Sequence, residues 1–236
     1  MPIRRRLSLT VPYFFTHSVL DMNTHLLTQK GTFLAQVYSN LLFQFIVFYL
    51  TFSLLRKNNA LRTHLQTYFL VYTLFFLVVS LLLIFAPLGL VSRFLLFTLF
   101  SLLAGVLFLR FRLLPDDVIT SVFYQVGGAF LIMTLVGFLS TLLGYNLAWL
   151  GLALLFGLIG LLVFQIVNIL GQEREKRQKG DILSRIGVVI FTLYILYDTN
   201  AMLQRDYRGD FIQAGLNLFL DSINLIADTL NLQSSS

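Results

Sequence analysis

The sequence predicts an all-α integral membrane protein, a bundle of seven transmembrane helices with helix seven central. Of its 236 residues, 57% are hydrophobic and only 12% are charged, and the mean hydropathy is +0.82. A soluble domain carries about 25% charged residues. The apolar residues also fall into stretches of about 20, the length with which a helix crosses a bilayer. These observations place most of the chain in a membrane.

Seven such stretches follow one another, separated by basic or helix-breaking residues. Arg56-Lys57 ends the first, Pro87 follows the second and Pro115 follows the third. A highly charged segment, residues 172–181, is expected to be a loop before the sixth. The predicted spans are, in order, residues 32–55, 67–85, 91–109, 118–143, 147–170, 186–203 and 211–232.

The predicted domain organisation is simple. Residues 1–31 form a polar or interfacial tail, residues 32–232 the membrane domain, and residues 233–236 a disordered end. Glycines in the fourth and fifth helices are expected to let helices pack closely. These glycines are Gly127, Gly128, Gly137, Gly151, Gly157 and Gly160.

Composition also excludes several classes of site. The chain has no cysteine, which excludes disulfides, thiolate metal sites and cysteine nucleophiles. Its three histidines lie outside the predicted spans, and no nucleotide-binding motif is present. The net charge of +6 indicates membrane topology and contact with anionic head groups rather than nucleic-acid binding. No cofactor and no enzymatic activity are expected.

Two aspartates lie inside apolar stretches, Asp198 in the sixth helix and Asp221 in the seventh. An acid at membrane depth costs roughly 2.5–3.5 kcal/mol even on lenient insertion scales. If the two helices form an antiparallel hairpin around residues 204–210, the depths of the carboxyls differ by less than about 8 Å. Two carboxyls in contact share a proton. The pair is therefore a candidate proton-sensitive latch.

The seventh helix also carries a polar stripe. Five Asn and Asp residues recur at spacings of 4, 3, 4 and 3, which puts them on one helical face. Such a stripe is typical of the wall of a polar path, with a hydrogen-bonded seam against helix six as the alternative. The five residues are Asn217, Asp221, Asn224, Asp228 and Asn231.

Three residues elsewhere complete the candidate site. Gln125 in the fourth helix and Asn168 in the fifth are further pore-lining candidates. Arg93, near the start of the third helix, could be a counter-ion for an aspartate; alternatively it extends its side chain to the membrane interface. Lysine and arginine counts lean only weakly towards one orientation, so the orientation stays open.

The C-terminal third resembles the transmembrane Bax inhibitor motif family, and in particular its bacterial members. Tyr197-Asp198 and Leu220-Asp221-Ser222-Ile223-Asn224-Leu225 match the tyrosine-aspartate and leucine-aspartate-x-x-asparagine-leucine signatures of that family. The segment 33–38 resembles the start of its first helix, and 147–168 its fifth. The chain departs from the family at two positions, with Gln125 where bacterial relatives have a glutamate and an extra acid at Asp228.

The resemblance implies a pH-sensitive, passive calcium leak channel. In this reading Asp198 and Asp221 are the pH sensor and gate and hold calcium transiently as the transported ion. Protons, the lipid bilayer and membrane-protein partners are then the other ligands, with effects on ion homeostasis and on resistance to stress or cell death. The implied location is a bacterial inner membrane, or alternatively the endoplasmic reticulum or Golgi membrane.

Three other functions stay open. A non-conducting membrane regulator or scaffold that binds other membrane proteins is the main alternative, and a proton-coupled transporter is a minor one. An intramembrane aspartyl protease also has one aspartate in each of two neighbouring helices. Its second aspartate follows glycine-x-glycine, whereas Asp221 follows Leu218-Phe219-Leu220.

Overall fold

Seven α-helices and no strand make up the part of the chain that the computed structural model describes, residues 13–58, 63–64, 67–170 and 173–235. A short 3₁₀ helix, Phe108–Phe111, follows α3. The all-α, seven-helix prediction is confirmed. The helices are α1 (Tyr13–Lys57), α2 (Phe69–Phe85), α3 (Leu90–Leu107), α4 (Asp116–Leu142), α5 (Ala148–Leu170), α6 (Glu173–Gln204) and α7 (Phe211–Ser235).

Within the described ranges, five segments are long and apolar enough to cross a membrane by length and composition: Lys30–Lys57, Leu90–Phe111, Asp116–Leu142, Ala148–Asn168 and Gln178–Gln204. The other two helices, α2 and α7, do not meet these criteria, each for its own reason. The apolar helix α2 has only 17 residues, about 26 Å at 1.5 Å per residue. In α7 the polar stripe interrupts the apolar sequence.

Three boundaries differ from the prediction. The first helix begins at Tyr13, inside the segment assigned to a tail, and residues 1–12 lie outside the described ranges. The charged segment predicted as a loop forms the first turns of α6 from Glu173 onwards. Its Glu, Lys, Arg and Gln residues are strong helix formers, and it contains no proline. The last helix continues to Ser235, into the end predicted to be disordered.

Helix α7 packs against α6, α1, α4 and α3, whereas α2 packs against α3 and α5 against α6. Phe219 anchors α7 on the side of α1 and α3. Its ring centroid lies 5.0 Å from that of Phe45, 5.3 Å from that of Phe97 and 6.1 Å from that of Phe100. Edge-on ring packing of this kind stabilises a core beyond the area it buries. With Phe219 on the side of α1 and α3, the polar face of α7 is directed towards α6.

Candidate functional site

The carboxyls of Asp198 and Asp221 meet between α6 and α7, as the hairpin argument predicts. Asp221 is only 7% exposed, and the two side chains are hydrogen-bonded to each other. The oxygen Oδ2 of Asp221 has no donor among the other described side chains and backbone groups. An ionised carboxyl only accepts hydrogen bonds, so such a bond requires a proton on one of the two groups. This geometry joins the carboxyls through a shared proton.

Arg205, at the C-terminal end of α6, is the cation next to this pair. Its guanidinium donates to the hydroxyl of Tyr197 and lies over the ring of that residue, 5.4 Å from the centroid. The positive charge of Arg205 acts on Asp198. Arg205 follows Asp198 by seven residues, about two helical turns, so the two lie on the same side of α6. That spacing is the sequence signal that could have identified Arg205.

Arg93, the counter-ion candidate, is engaged elsewhere. It forms an ion pair with Asp210 and donates to Gln213 Oε1 at 2.9 Å. Asp210 also caps α7, because its Oδ1 accepts from the backbone N–H of Gln213 at 3.0 Å. Gln213 in turn donates to Asn217 Oδ1 at 3.2 Å. Arg93 is therefore the counter-ion of an aspartate, but of Asp210 at the N-terminus of α7 and not of the Asp198–Asp221 pair.

The same end of the bundle is closed by further hydrogen bonds. Lys30 Nζ donates to the carbonyls of Met202 and Arg205, at 3.2 Å and 2.7 Å. A cation suits this place because the last carbonyls of a helix lack intrahelical partners. Asn200 ties α6 to the α4–α5 turn: its Oδ1 accepts from the N–H of Leu147 at 3.1 Å, and its Nδ2 is 2.9 Å from Thr141 Oγ1. Both interactions fix the segment that follows Asp198.

The C-terminal half of the polar stripe lines a cavity of about 840 Å³ between α5, α6 and α7. Asn224, Asp228 and Asn231 lie there together with Asn168, which was predicted as a pore-lining residue. Asp228 is 6% exposed and accepts from Ser184 and Asn231. The side chain of Asp228 packs against the backbone of α6 at Gly187.

Gln125 does not join this arrangement. Its side chain is exposed on α4, and the interaction described for it is a hydrogen bond to Ser121 one turn earlier, at 3.1 Å. Gln125 therefore points away from the aspartate pair, and the structure does not place it on a path along α7. The reason is the rotation of α4, which turns its buried residues Val122 and Val126 inwards.

Three of the six predicted packing glycines lie at close helix contacts. A Cβ at Gly137 would lie 2.8 Å from Thr199 Cβ, one at Gly151 would lie 2.3 Å from Tyr197 Cζ, and one at Gly157 would lie 3.3 Å from Ile190 Cδ1. Gly127, Gly128 and Gly160 have nothing within 4 Å of an added Cβ, so their predicted role in packing is wrong. Gly127 and Gly128 instead border an apolar groove between α1 and α4.

Metal binding would rest on few ligands. No group of three or more His, Cys, Asp or Glu side chains comes together within the described ranges to hold a metal ion. The aspartate pair offers two carboxyls, and the cavity adds amide oxygens. Calcium prefers six to eight oxygen ligands, which is more than the two carboxyls alone supply.

Comparison with known proteins identifies relatives. The chain is 28% identical over 103 residues to the Protein LIFEGUARD 1 of Arabidopsis thaliana, covering 44% of this chain and 43% of that protein. It is 32% identical over 100 residues to Protein LIFEGUARD 2 (42% and 41%) and 34% identical over 92 residues to Protein LIFEGUARD 4 (38% and 35%), both of the same plant. The alignments thus span about two fifths of each relative.

These relatives are plant proteins and give no support to a bacterial inner membrane, which stays a prediction. A multi-pass membrane protein is what the helices support. The family model described as "Inhibitor of apoptosis-promoting Bax1" matches residues 30–235, which include both aspartates, helices α2 to α7 and α1 from Lys30 onwards. Because that match extends over most of the chain, this protein belongs to the Bax inhibitor family of membrane proteins.

Proposed function

We propose that this protein is a passive calcium leak that conducts more at neutral or higher pH than at pH 5–6, and that the Asp198–Asp221 pair senses protons. The observation that carries the proposal is the contact between the two buried carboxyls. With one proton the pair is hydrogen-bonded and joins α6 to α7. Without it, two negative charges repel at short range in a medium of low dielectric. Deprotonation would then separate the helices and create a site that attracts cations.

The other titratable groups near the pair are phenols and a guanidinium. Phenols and guanidinium groups titrate at about 10 and above 12. In the loop between α6 and α7, burial raises the pKa of Tyr207 to about 12, with a further contribution from the negative charge of Asp198. The aspartates are therefore the groups that can respond. The phenols and the cation that face the pair or its neighbours are Tyr38, Tyr194, Tyr197, Tyr207 and Arg205.

The cavity beside α7 supplies a route for the ion. It brings Asn224, Asp228 and Asn231 together within about three helical turns of Asp221. Carboxylate and amide oxygens are ligands that calcium accepts. A conducted ion must also leave again, which favours weak sites over a closed cage. We propose that calcium passes along this face of α7.

A regulatory role in cell death fits the same activity. The matching family model is described as an inhibitor of apoptosis-promoting Bax1, and the family is not known as an enzyme family. A pH-dependent calcium leak would change the ion content of the compartment that the membrane encloses. We propose that stress or cell-death resistance follows from that change.

A non-conducting regulator that binds other membrane proteins is the second candidate. One observation favours it: an apolar groove of about 960 Å³ lies between α1 and α4 and is bordered by Tyr49, Phe123 and Gly128. Lipid chains or a helix of another protein could occupy it. This candidate predicts no ion flux from the purified protein.

Calcium flux into proteoliposomes across pH 5–8 separates the two candidates. Flux should rise with pH in the unmodified protein, and Asp198→Asn and Asp221→Asn should each abolish most of that dependence. Asp117→Asn, which removes an exposed acid at the start of α4, is the control and should behave as the unmodified protein. Flux that falls with pH would refute the proton-closed latch. Absence of flux at every pH, with folded protein in the vesicles, would favour the regulator.

A further inference from the structure

We propose that the cavity between α5, α6 and α7 binds the head group of an amine-bearing phospholipid, with the phosphate on Arg110 and the amine on Asp228. Both residues border the cavity, and their opposite charges interact across it. The cavity reaches Ser234, in the last turn of α7, and so lies at one end of the bundle. Head groups lie at that depth in a bilayer.

Arg110 is a suitable phosphate ligand. Its side chain is exposed at the cavity. Within the described ranges it forms no hydrogen bond or ion pair; its contacts are the ring of Phe111, with the guanidinium carbon 4.5 Å from the centroid, and the Coulomb interaction with Asp228. A guanidinium has five N–H donors in a planar arrangement that matches phosphate oxygens. A phosphate would use donors for which the described ranges contain no acceptor.

Asp228 provides the complementary charge. It is buried and accepts hydrogen bonds from Ser184 and Asn231, and a carboxylate has about four acceptor positions. Asp181 lies at the same cavity. A purely anionic ligand would meet these two acids unfavourably, whereas an ammonium group would be bound by them. The charges on the cavity wall therefore favour a zwitterion.

The remaining wall is apolar and continuous with the membrane surface of α5. Leu158 and Leu162 border the cavity, and Leu162 is 49% exposed. Neighbouring Ile159 and Val163 are also exposed large hydrophobic residues. An acyl chain can lie along this face, and a small soluble phosphate ester would gain nothing from it. The combination of charges and an apolar exit selects a lipid as the ligand.

The same cavity is the route proposed above for calcium, so a lipid and the ion would compete for Asp228. Lipid retention by the purified protein tests the lipid site without any measurement of flux. Delipidated protein in detergent is mixed with phosphatidylethanolamine, phosphatidylcholine or phosphatidylglycerol, and bound lipid is counted by native mass spectrometry. Phosphatidylethanolamine should be retained best and should raise the apparent melting temperature. Arg110→Gln and Asp228→Asn should each lower its retention about tenfold, the loss expected for one charge-assisted contact. Arg185→Gln, an exposed cation on α6 outside the cavity, should have no effect.

A further variant and a soluble ligand distinguish the remaining outcomes. Leu162→Trp fills the apolar exit without altering a charge and should also lower retention, which covers the case that Arg110→Gln does not fold. Free phosphoethanolamine should not raise the melting temperature; an effect equal to that of the lipid would show a soluble ligand and overturn the proposal. Equal retention of the three lipids, or equal retention by the unmodified and Arg110→Gln proteins, would overturn it as well.

Discussion

Asp228 on α7 packs directly against the backbone of Gly187 on α6: a Cβ at Gly187 would lie 1.9 Å from Asp228 Oδ2. Only a residue without a side chain allows this approach. The contact fixes α6 against α7 eleven residues before Asp198, so it also sets the rotation of the helix that carries this aspartate. The site therefore requires a glycine at position 187.

Gly187→Ala should destabilise the protein by about 1–3 kcal/mol, the usual cost of inserting a methyl group where there is no room. Thermal unfolding in detergent measures it as a lower apparent melting temperature. Gly160→Ala on α5 is the matched control, since nothing lies within 4 Å of its added Cβ and alanine favours a helix over glycine. A melting temperature for Gly187→Ala equal to that of the control would show that α6 and α7 separate freely.

The aspartate pair could be predicted from the sequence because acids within apolar stretches are conspicuous and a hairpin brings neighbouring helices together. The polar stripe was predictable for the same reason, since its spacing specifies a face. Helix number followed from the apolar stretches. Each of these features depends on one segment or on two consecutive ones.

The partner of Arg93 was not predictable in this way. It depends on how a helix end is rotated and how the loop before α7 returns, which no local pattern specifies. Asp210, in that loop, forms an ion pair with Arg93, whereas Arg205 is hydrogen-bonded to Tyr197. The charged start of α6 was predicted as a loop because of its many charges. It is helical because its residue types favour a helix. The direction of Gln125 likewise depends on the packing of α4.

Arg205→Gln should shift the rise of calcium flux to higher pH, because a carboxyl without a neighbouring cation holds its proton more readily. The measurement is flux into proteoliposomes over a pH series. Arg208→Asn removes an exposed cation from the same loop and should leave the midpoint unchanged; asparagine tolerates the positive φ of 50° at that position. Identical pH midpoints of flux for Arg205→Gln and the control would show that Arg205 has no part in the proton response.

Arg93→Gln should lower stability, by about 1 kcal/mol or more, while the pH midpoint of flux stays the same. Its partner Asp210 is 30% exposed and would lose its cation, but neither group faces the aspartate pair. A double-mutant cycle with Asp210→Asn in thermal unfolding isolates the interaction, since the two single changes should not be additive. A displaced pH midpoint of flux for Arg93→Gln would instead show that Arg93 acts as a counter-ion of the Asp198–Asp221 pair.

Asn200→Ala should be the most damaging of these changes, because the side chain serves several partners at the α4–α5 turn. Its removal leaves the N–H of Leu147 without its acceptor and takes a donor from Thr141. Each unsatisfied buried group costs about 1–3 kcal/mol, so a total of several kcal/mol is expected. Thermal unfolding in detergent measures the loss.

Gln204→Ala provides the comparison for Asn200. Gln204 donates to the carbonyl of Tyr145 at 2.8 Å, at the same turn, but its side chain is exposed and water can replace it. We expect a loss below about 1 kcal/mol for this change. If Asn200→Ala costs no more than Gln204→Ala, the turn is not what holds α6 in place. The position of Asp198, two residues earlier in α6, would then depend on its contact with α7 alone.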